Sequence, residues 1–405
     1  MHQYRTITLA ALIAGLQACS DAGARQTATV RDSAGVSIVE STLPAWNERD
    51  AWTLDTTPVV DIGGTDDPDY DLVQVGDAVR LSDGRIAVFT NATANLRIYD
   101  STGAHLLTTG RSGDGPGEFR AVETLERLPG DTLLAYDYLL RRMSVISPEG
   151  EVVASHGFMP TGQQAFLQPL ARLPDGSWFT RAQVFSAGDD RAGVKRDSLT
   201  LLRVSPGLDS ALDTIGRFPS TEMFIQRGGS GEGRFITFSL IPFGLATRIA
   251  THGARIYVGD PGSYEIRAFR ADGTLERILR RPVERRAVDP AEVTRLKEQE
   301  LAATEERWRR TLEDKWKNAP VATHHPAFAS MTVGADGDLW VEEPKVTPDD
   351  PGRASVFDPD GRLLGSVPLP GNLRITEIGR DYLLGVWKDE SDLEHVRLYR
   401  VRKPK

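Results

Sequence analysis

Short apolar runs separated by turn residues dominate this chain from about residue 58 onward. Arg85–Phe89 and Leu96–Tyr99 are two such runs, rich in the β-branched and aromatic residues that strands prefer. Asp-Gly, Pro-Gly and Gly-Asp pairs lie between the runs, as at Asp83-Gly84, and these pairs favour the tight turns of hairpins. The pattern therefore predicts an almost entirely β protein made of successive hairpins.

Glycines that close apolar runs recur at a fixed interval. Gly63, Gly110 and Gly157 follow one another at steps of 47 residues, and Gly103 and Gly150 keep the same step. A period of roughly this length indicates one supersecondary unit that is copied along the chain. The repeat sets the expected architecture and leaves the ligand open.

Six units, each with up to four predicted strands, follow one another over residues 58–402. Six small sheets in succession predict a six-bladed β-propeller, in which the blades pack face to face around a channel. The sixth unit ends after its third strand, near Val401, whereas Val59–Ile62 is a spare strand ahead of the first unit. We expect this N-terminal strand to complete the last blade and close the ring, since closure leaves no long exposed edge.

A helical insertion interrupts the β pattern between blades four and five, over about residues 289–317. Asp289-Pro290-Ala291-Glu292 provides a cap, a proline in the first turn and an acid three residues after the cap. The apolar residues of the insertion fall roughly on one stripe of the predicted helix, and they are Val293, Leu296, Leu301, Trp308, Leu312 and Trp316. This apolar stripe predicts a helix docked over one face of the propeller, and a helix that binds a partner is the alternative.

The first 19 residues have the pattern of an export signal. Arg5 supplies a positive charge, and Ile7–Leu16 is apolar but shorter than the roughly 20 residues that span a bilayer. Leu16-Gln17-Ala18-Cys19-Ser20 resembles the lipobox of bacterial lipoproteins, and Cys19 is the only cysteine in the chain. The resemblance implies that Cys19 is lipidated, with an ordinary cleaved signal peptide as the alternative.

This N-terminus predicts where the protein resides. A lipidated Cys19 would anchor an exported protein in the bacterial cell envelope, because several acyl chains together give stable membrane binding. In the lipoprotein pattern of enteric bacteria, a serine after the cysteine, as Ser20 is here, implies the outer membrane. Residues 20–57 are then a tether and N-terminal segment, small, polar and flexible up to about Arg31.

Charge excludes one class of partner. The 405 residues carry a net charge of -9, whereas binding to nucleic acid requires a clustered basic face. The one basic cluster, between Arg277 and Arg286, is broken by acids such as Glu284. We therefore expect no nucleic-acid partner and read this cluster as a solvated edge.

Two segments carry a family resemblance. Asn95–Gly103 and the glycine-rich segment Gly110–Phe119 resemble the NHL repeat. The chain as a whole is similar to bacterial six-bladed β-propeller lipoproteins related to NHL-repeat proteins. The resemblance implies a fold that serves both binding modules and unrelated enzymes. Some of these relatives are gluconolactonase-like hydrolases with a divalent cation, and others are amidating lyases that use histidines and zinc.

Polar loop residues supply the candidate site. In a propeller the connectors between blades and the loops after the second strands meet at one mouth of the channel, and oxygen-rich or histidine ligands there could hold a metal. The adjacent pair His324-His325 would point to opposite sides of an extended chain. The candidate channel-face residues are Asn91, Asp137, Arg141, Asp260, Glu342, His324 and His325.

These features favour a non-catalytic module of the cell envelope that binds a protein or small molecule at the channel face. We expect no cofactor, with a divalent cation as the open alternative. A metal-dependent, lactonase-like hydrolase or lyase acting at the same face is the second hypothesis. A structural envelope component docked through the helix of Trp308 and Trp316 is the third.

Overall fold

The computed structural model describes residues 27–158, 166–183, 192–207, 209–228 and 235–404. These residues form thirty strands and two α-helices, which confirms the predicted β-rich architecture. The predicted export signal, with Cys19, lies outside the described residues. The first strands are β1 (Ala28–Ser33), β2 (Val36–Ser41), β3 (Thr53–Leu54) and β4 (Val60–Gly63).

Two four-stranded antiparallel sheets follow, each with its strands in chain order. The first sheet contains β5 (Val75–Arg80), β6 (Ile86–Thr90), β7 (Asn95–Tyr99) and β8 (His105–Thr109). The short strands β9 (Arg111–Ser112) and β10 (Glu118–Phe119) pair in parallel within the connector. The second sheet contains β11 (Val122–Arg127), β12 (Leu133–Asp137), β13 (Arg142–Ile146) and β14 (Val152–Gly157), with a 3-10 turn at Pro129–Asp131.

The third sheet is larger because two of its strands are long. It contains β15 (Phe166–Arg172), β16 (Trp178–Gln183), β17 (Gly193–Val204), β18 (Ala211–Gly228) and β19 (Phe235–Leu240). The fourth sheet is built on β20 (Arg248–His252), β21 (Arg255–Asp260), β22 (Glu265–Arg270) and β23 (Leu275–Arg280).

Two helices, α1 (Pro290–Ala303) and α2 (Glu306–Asn318), separate the fourth sheet from the fifth. The fifth sheet contains β24 (Ser330–Val333), β25 (Leu339–Glu342), β26 (Gly352–Phe357) and β27 (Leu363–Leu369). The sixth contains β28 (Leu373–Ile378), β29 (Tyr382–Lys388) and β30 (Glu394–Arg402). Strand β4 pairs with β30, placing Val60 opposite Leu398, and so forms a fourth strand of the last sheet.

The hydrophobic core is divided among the junctions between sheets. Of six buried clusters, five contain residues from two sheets that follow one another in the chain. The remaining cluster joins the sixth sheet to the first. Phe119 shows how a connector contributes, since it is buried between the first two sheets and packs edge-on against Phe89 at 5.1 Å. The sheets therefore stabilise one another face to face.

The glycine repeat corresponds to a repeated turn. The third and fourth strands of four sheets are joined at a glycine with positive φ, a conformation that costs L side chains about 1–2 kcal/mol. A β-bulge lies beside each of these turns. The four glycines and their φ angles are Gly103 (92°), Gly150 (86°), Gly273 (82°) and Gly361 (85°).

We expect Gly150→Ala to lower the free energy of unfolding by about 2–3 kcal/mol. A Cβ at this position would lie 2.9 Å from Leu107 Cδ1 on the neighbouring sheet, so packing strain adds to the cost of the positive φ. Gly130→Ala is the matched control, because Gly130 has a φ of 79° with no atom within 4 Å of a new Cβ. Guanidinium denaturation should show the larger loss for Gly150→Ala, and equal losses would contradict the packing contribution.

The N-terminal segment is more ordered than the tether expected up to about Arg31. Strands β1 and β2 form a hairpin, and β2 pairs in parallel with β23. The hairpin therefore covers the edge of the fourth sheet where the basic cluster beginning at Arg277 was predicted to be solvated. Ile38 and Val39 are buried there. These two short strands were not predicted because they precede the glycine repeat and contain none of its glycines.

The predicted single helix is wrong, since two helices occupy this insertion. The capping box at Asp289 and Glu292 is present as expected, but the chain leaves helical geometry at Thr304 and Glu305 before α2 begins. The helices form a hairpin in which Glu300 accepts hydrogen bonds from Lys315 Nζ (3.0 Å) and Trp316 Nε1 (2.9 Å). No residue of either helix is fully buried, so the apolar stripe is only partly covered.

Polar contacts fix α1 to the fifth sheet. Arg295 binds both carboxylate oxygens of Asp350, at 2.6 and 3.0 Å, and Gln299 donates to Asp349 at 2.5 Å. Neither described helix is long and apolar enough to span a membrane.

Candidate functional site

Two of the predicted site residues hold the connector between the first and second sheets. Asn91 accepts a hydrogen bond from the Val122 amide (2.8 Å) and donates one to its carbonyl (3.2 Å). The Asp137 carboxylate is buried and accepts hydrogen bonds from the amides of four residues: Arg120, Ala121, Leu139 and Leu140. Both side chains are thus engaged by the backbone, and both lie at the start of β11.

Arg141 occupies a strained turn between β12 and β13. Its φ is 48°, and its carbonyl oxygen accepts a hydrogen bond from the Phe158 amide at 2.7 Å. The guanidinium lies near enough to Tyr136 to favour ionisation of that phenol, although burial still raises the pKa of Tyr136.

Asp260 forms a salt bridge with the third sheet. Both of its oxygens accept from Arg196, at 2.9 and 3.1 Å, and one also accepts from the Gly262 amide at 3.1 Å. Burial opposes ionisation of this carboxyl, but the contacts to Arg196 and Gly262 outweigh it and hold the pKa of Asp260 below its ordinary value.

The two histidines lie in different surroundings, as expected for neighbours in an extended segment. His324 is exposed and its Nδ1 lies 3.0 Å from the Thr323 hydroxyl. His325 is buried, packs at a tilt against the Phe243 ring, and places Nε2 2.9 Å from the Glu292 carboxylate. Burial opposes ionisation of Glu292, but hydrogen bonds from His325, Asp289 and Arg286 outweigh it and lower the pKa of Glu292 to about 2.

The predicted residues do not form one group. Asn91 and Asp137 share the second-sheet connector, and Asp260 and His325 are linked only indirectly, through Arg285. Its guanidinium contacts the His325 carbonyl oxygen and helps to lower the pKa of Asp260. Within the described ranges no three His, Cys, Asp or Glu side chains are grouped as metal ligands.

Glu342 belongs to a different constellation, which we call the inner-face cluster. Gln168 donates from Nε2 to Glu123 at 2.9 Å, and its Oε1 accepts a hydrogen bond from Arg181. Ser330 donates to Glu342. Electrostatic contacts join Arg248 to Arg181 and Glu342, and Lys345 to Glu342. The cluster consists of Glu123, Gln168, Arg181, Arg248, Glu342 and Lys345.

The cluster is assembled from four sheets. Glu123 and Gln168 lie on the first strands of the second and third sheets, and Arg248 begins the first strand of the fourth. The first strands of neighbouring sheets contact one another, as β15 does with β20 and β20 with β24. Arg181 and Glu342 join them from the second strands β16 and β25.

Positive charge in this cluster is incompletely neutralised. Burial lowers the pKa of Arg181, Arg248 and Lys345 and outweighs the nearby carboxylates in each case. Arginine still remains charged at neutral pH. No carboxylate oxygen of the described residues lies within salt-bridge distance of Arg181 or Arg248, and Arg248 Nε is buried without a hydrogen-bond partner. The arrangement is suited to an anionic ligand, which would supply the missing acceptors.

Of these six residues, only Glu342 was among the predicted site residues. The predicted site residues were expected on loops, whereas Glu123, Gln168, Arg181 and Arg248 lie on strands. The available signal was a charged residue inside an apolar run, as in Trp178-Phe179-Thr180-Arg181, because a charge there must face either solvent or a ligand.

No protein-family model matches this chain, and no curated protein matches it by sequence. Solved structures do resemble it. A member of the DUF4221 family from Bacteroides vulgatus is 11% identical with a TM-score of 0.53, covering 88% of this chain and all of that one.

Two further structures are similar at lower scores. A protein from Bacteroides fragilis is 12% identical, with a TM-score of 0.47 and coverage of 91% of this chain and all of the other. Virginiamycin B lyase from Staphylococcus aureus is 10% identical, with a TM-score of 0.41 and coverage of 86% and 99%. At these identities the likeness concerns the fold, and the chain has a mostly β, propeller-like architecture.

Proposed function

We propose that this protein is a binding module of the bacterial cell envelope, built as one six-bladed propeller whose inner face takes an anionic ligand. The closed ring is supported by the six core clusters, each between successive sheets, with one of them between the sixth sheet and the first. It is also supported by the pairing of β4 with β30, which joins the strand that precedes the first sheet to the last strand of the sixth.

The observation that carries the function is the pair Arg181 and Arg248. Both guanidinium groups are partly buried, and the pKa of Arg248 is lowered mainly by burial, with the charge of Arg181 adding to this effect and Glu342 opposing it. Holding two like charges together away from water is unfavourable unless something compensates them. A ligand with two or more negatively charged oxygens would do so through charge-assisted hydrogen bonds.

A binding role is favoured over metal-dependent hydrolysis by the way the candidate ligands are used. Asp137, Asp260 and His325 each hold a different part of the fold, as described above, and their partners lie on different elements. No observation in the described part of the chain places a nucleophile, a general base and a charge-stabilising group around one point. The divalent-cation site that was left open as the alternative therefore has no support from the geometry of these three residues.

The test is isothermal titration of the purified protein at constant ionic strength with di- and tricarboxylates, inorganic phosphate and sulfate. We expect at least one multivalent anion to bind with 1:1 stoichiometry and to lose affinity when Arg181 or Arg248 is neutralised. Binding that ignores both substitutions would refute an inner-face site.

The envelope assignment rests on the N-terminal sequence. The described chain begins at residue 27 beside β1, on the outer side of the fourth sheet. The eight residues from Cys19 span at most roughly 28 Å when fully extended. A lipid on Cys19 would thus hold the module close to the membrane, with the fourth sheet nearest to it.

Cys19→Ala is expected to release the protein from the membrane. Removing the only thiol removes the site of acylation, and a protein without acyl chains lacks the strong partitioning that several of them provide. Metabolic labelling with palmitate should mark the wild-type protein and leave the variant unlabelled, while cell fractionation should move the variant to soluble fractions. A labelled Cys19→Ala protein would show that Cys19 is not the anchor.

A further inference from the structure

A cavity lies at the junction of the fourth and fifth sheets, and we call it the junction cavity. Its volume is about 260 Å³, slightly below the range of roughly 300–1,000 Å³ typical of sites for drug-sized ligands. It shares no lining residue with the inner-face cluster. Its polar lining includes Tyr264, Arg281, Glu284, Arg285, His325 and Glu343.

Two arginines of this cavity carry charge that no carboxylate neutralises. Arg281 donates to the Ser355 hydroxyl at 2.9 Å, and its guanidinium lies 5.0 Å from the centre of the Tyr264 ring. Arg285 donates to the carbonyl oxygens of His324 and His325, at 2.9 and 2.8 Å. Both side chains are half-buried, and neither forms a salt bridge with a described residue. Asp260 is nevertheless close enough to Arg285 for the guanidinium charge to help lower the pKa of Asp260.

Buried polar atoms without partners line the same cavity. The Tyr264 hydroxyl is buried beside Arg281 and Ser355, both of which favour its ionised form, but it makes no hydrogen bond of normal geometry with the described residues. Burial raises the pKa of this phenol and outweighs the opposing effect of Arg281, so the hydroxyl remains a neutral donor. Nδ1 of His325 is also buried without a hydrogen-bond partner. Such atoms are costly to leave unpaired and are expected to find a ligand or water.

The remaining lining decides which anion would fit. Val283, Pro326, Ala327 and Pro344 add apolar surface, which favours an organic body over a bare inorganic ion. Glu284 and Glu343 are exposed at the cavity, and their negative charge disfavours a ligand with several charges of its own.

We propose that the junction cavity is a second ligand site, specific for a small organic monocarboxylate. Its carboxylate accepts hydrogen bonds from Arg281, Arg285 and the Tyr264 hydroxyl, and its apolar body lies against the proline and valine side chains. This site is independent of the inner-face site.

Ligand-observed NMR titration of the purified protein with benzoate, butyrate and inorganic phosphate tests the proposal. We expect at least one of the two carboxylates to bind, with Arg281→Gln weakening it about tenfold or more and Tyr264→Phe about threefold to tenfold. Tyr264→Phe keeps the ring that packs against Phe328 and Phe357, so it tests the hydroxyl without disturbing the core. Arg309→Gln removes a partly exposed arginine of α2 that pairs with Glu306, and should leave binding unchanged.

Three results would overturn the proposal. They are the absence of binding by both carboxylates, binding that is equal in wild type and in both cavity variants, and stronger binding of phosphate than of either carboxylate. Arg181→Gln distinguishes the two sites, because it should impair the inner-face site and leave the junction cavity unaffected. The two proposals can therefore be refuted independently of each other.

Discussion

Arg248→Gln is expected to weaken binding of a multivalent anion at the inner face by about 10- to 100-fold, equivalent to about 1.5–3 kcal/mol for a hydrogen bond to a charged group. The substitution removes a positive charge whose Nε is buried without a partner. Arg181→Gln should act in the same direction, since Arg181 reaches the cluster from the neighbouring sheet through Gln168.

The same substitution should not reduce stability. Burial lowers the pKa of Arg248, so the charged side chain is held at a cost to the folded state, and replacing it with a neutral amide removes that cost. Loss of affinity with an unchanged or higher melting temperature is therefore the signature of a residue kept for its ligand. A structural arginine would lose stability on substitution.

Arg353→Gln is the control for charge alone. Arg353 is exposed on β26 and donates to Ser366 at 3.0 Å, so its loss changes the net charge equally while leaving the inner face intact. Affinity that falls as much in Arg353→Gln as in Arg248→Gln would contradict a specific site and indicate a general electrostatic effect.

The repeated part of the fold could be predicted because each unit carries its own local markers. A turn that requires positive φ selects glycine wherever it recurs, so Gly103 and Gly150 reveal two copies of one turn from sequence alone. The spare strand before the first unit was likewise visible as an apolar run ending at Gly63, and it pairs with β30.

The site could not be predicted in the same way because its members are distant in sequence. Glu123, Arg181 and Arg248 share no motif or spacing, and only the packing of neighbouring sheets brings them together. Asp137 and Asp260, which were predicted to lie on loops and are the last residues of β12 and β21, looked more like ligands. Asp137 instead caps backbone amides, and Asp260 pairs with an arginine of the third sheet.

The break in the helical insertion is a further case in which tertiary contacts decide. No glycine or proline lies between Val293 and Asn318, so local propensity favours one helix. The chain turns at Thr304, whose hydroxyl donates to the Glu300 carbonyl at 2.6 Å, and the Glu300 carboxylate then joins the two helices. The Thr304 bond is local to the end of α1, whereas the Glu300 contact forms only in the folded hairpin.

Carboxylates on the inner strands also link neighbouring sheets. Asp77 accepts from the Leu125 amide at 2.9 Å, Glu126 accepts from the Arg172 amide, and Glu377 accepts from the Arg80 amide at 2.7 Å. Burial is the dominant influence on two of them. It raises the pKa of Asp77 to about 6 and that of Glu126 to about 7.

Raised carboxyl pKa values make the folded state less stable as the pH increases. Between its unfolded value of 4.5 and its folded value of about 7, Glu126 binds more protons in the folded than in the unfolded state. The free energy of unfolding therefore falls through this range. Asp77 adds a second fall between 3.8 and about 6. Above pH 7 both penalties are fully present.

Glu126→Gln is accordingly expected to raise the free energy of unfolding at pH 8 by up to about 3 kcal/mol, taking about 1.4 kcal/mol per pKa unit, and to change it little at pH 4. The amide oxygen of glutamine can still accept from the Arg172 amide, so the link between sheets is kept while the charge is removed. Urea denaturation across this pH range measures the difference, and Asp77→Asn should show the same behaviour in its lower window. Equal stabilisation by Glu126→Gln at pH 4 and pH 8 would mean that packing, rather than ionisation of a buried carboxyl, is responsible.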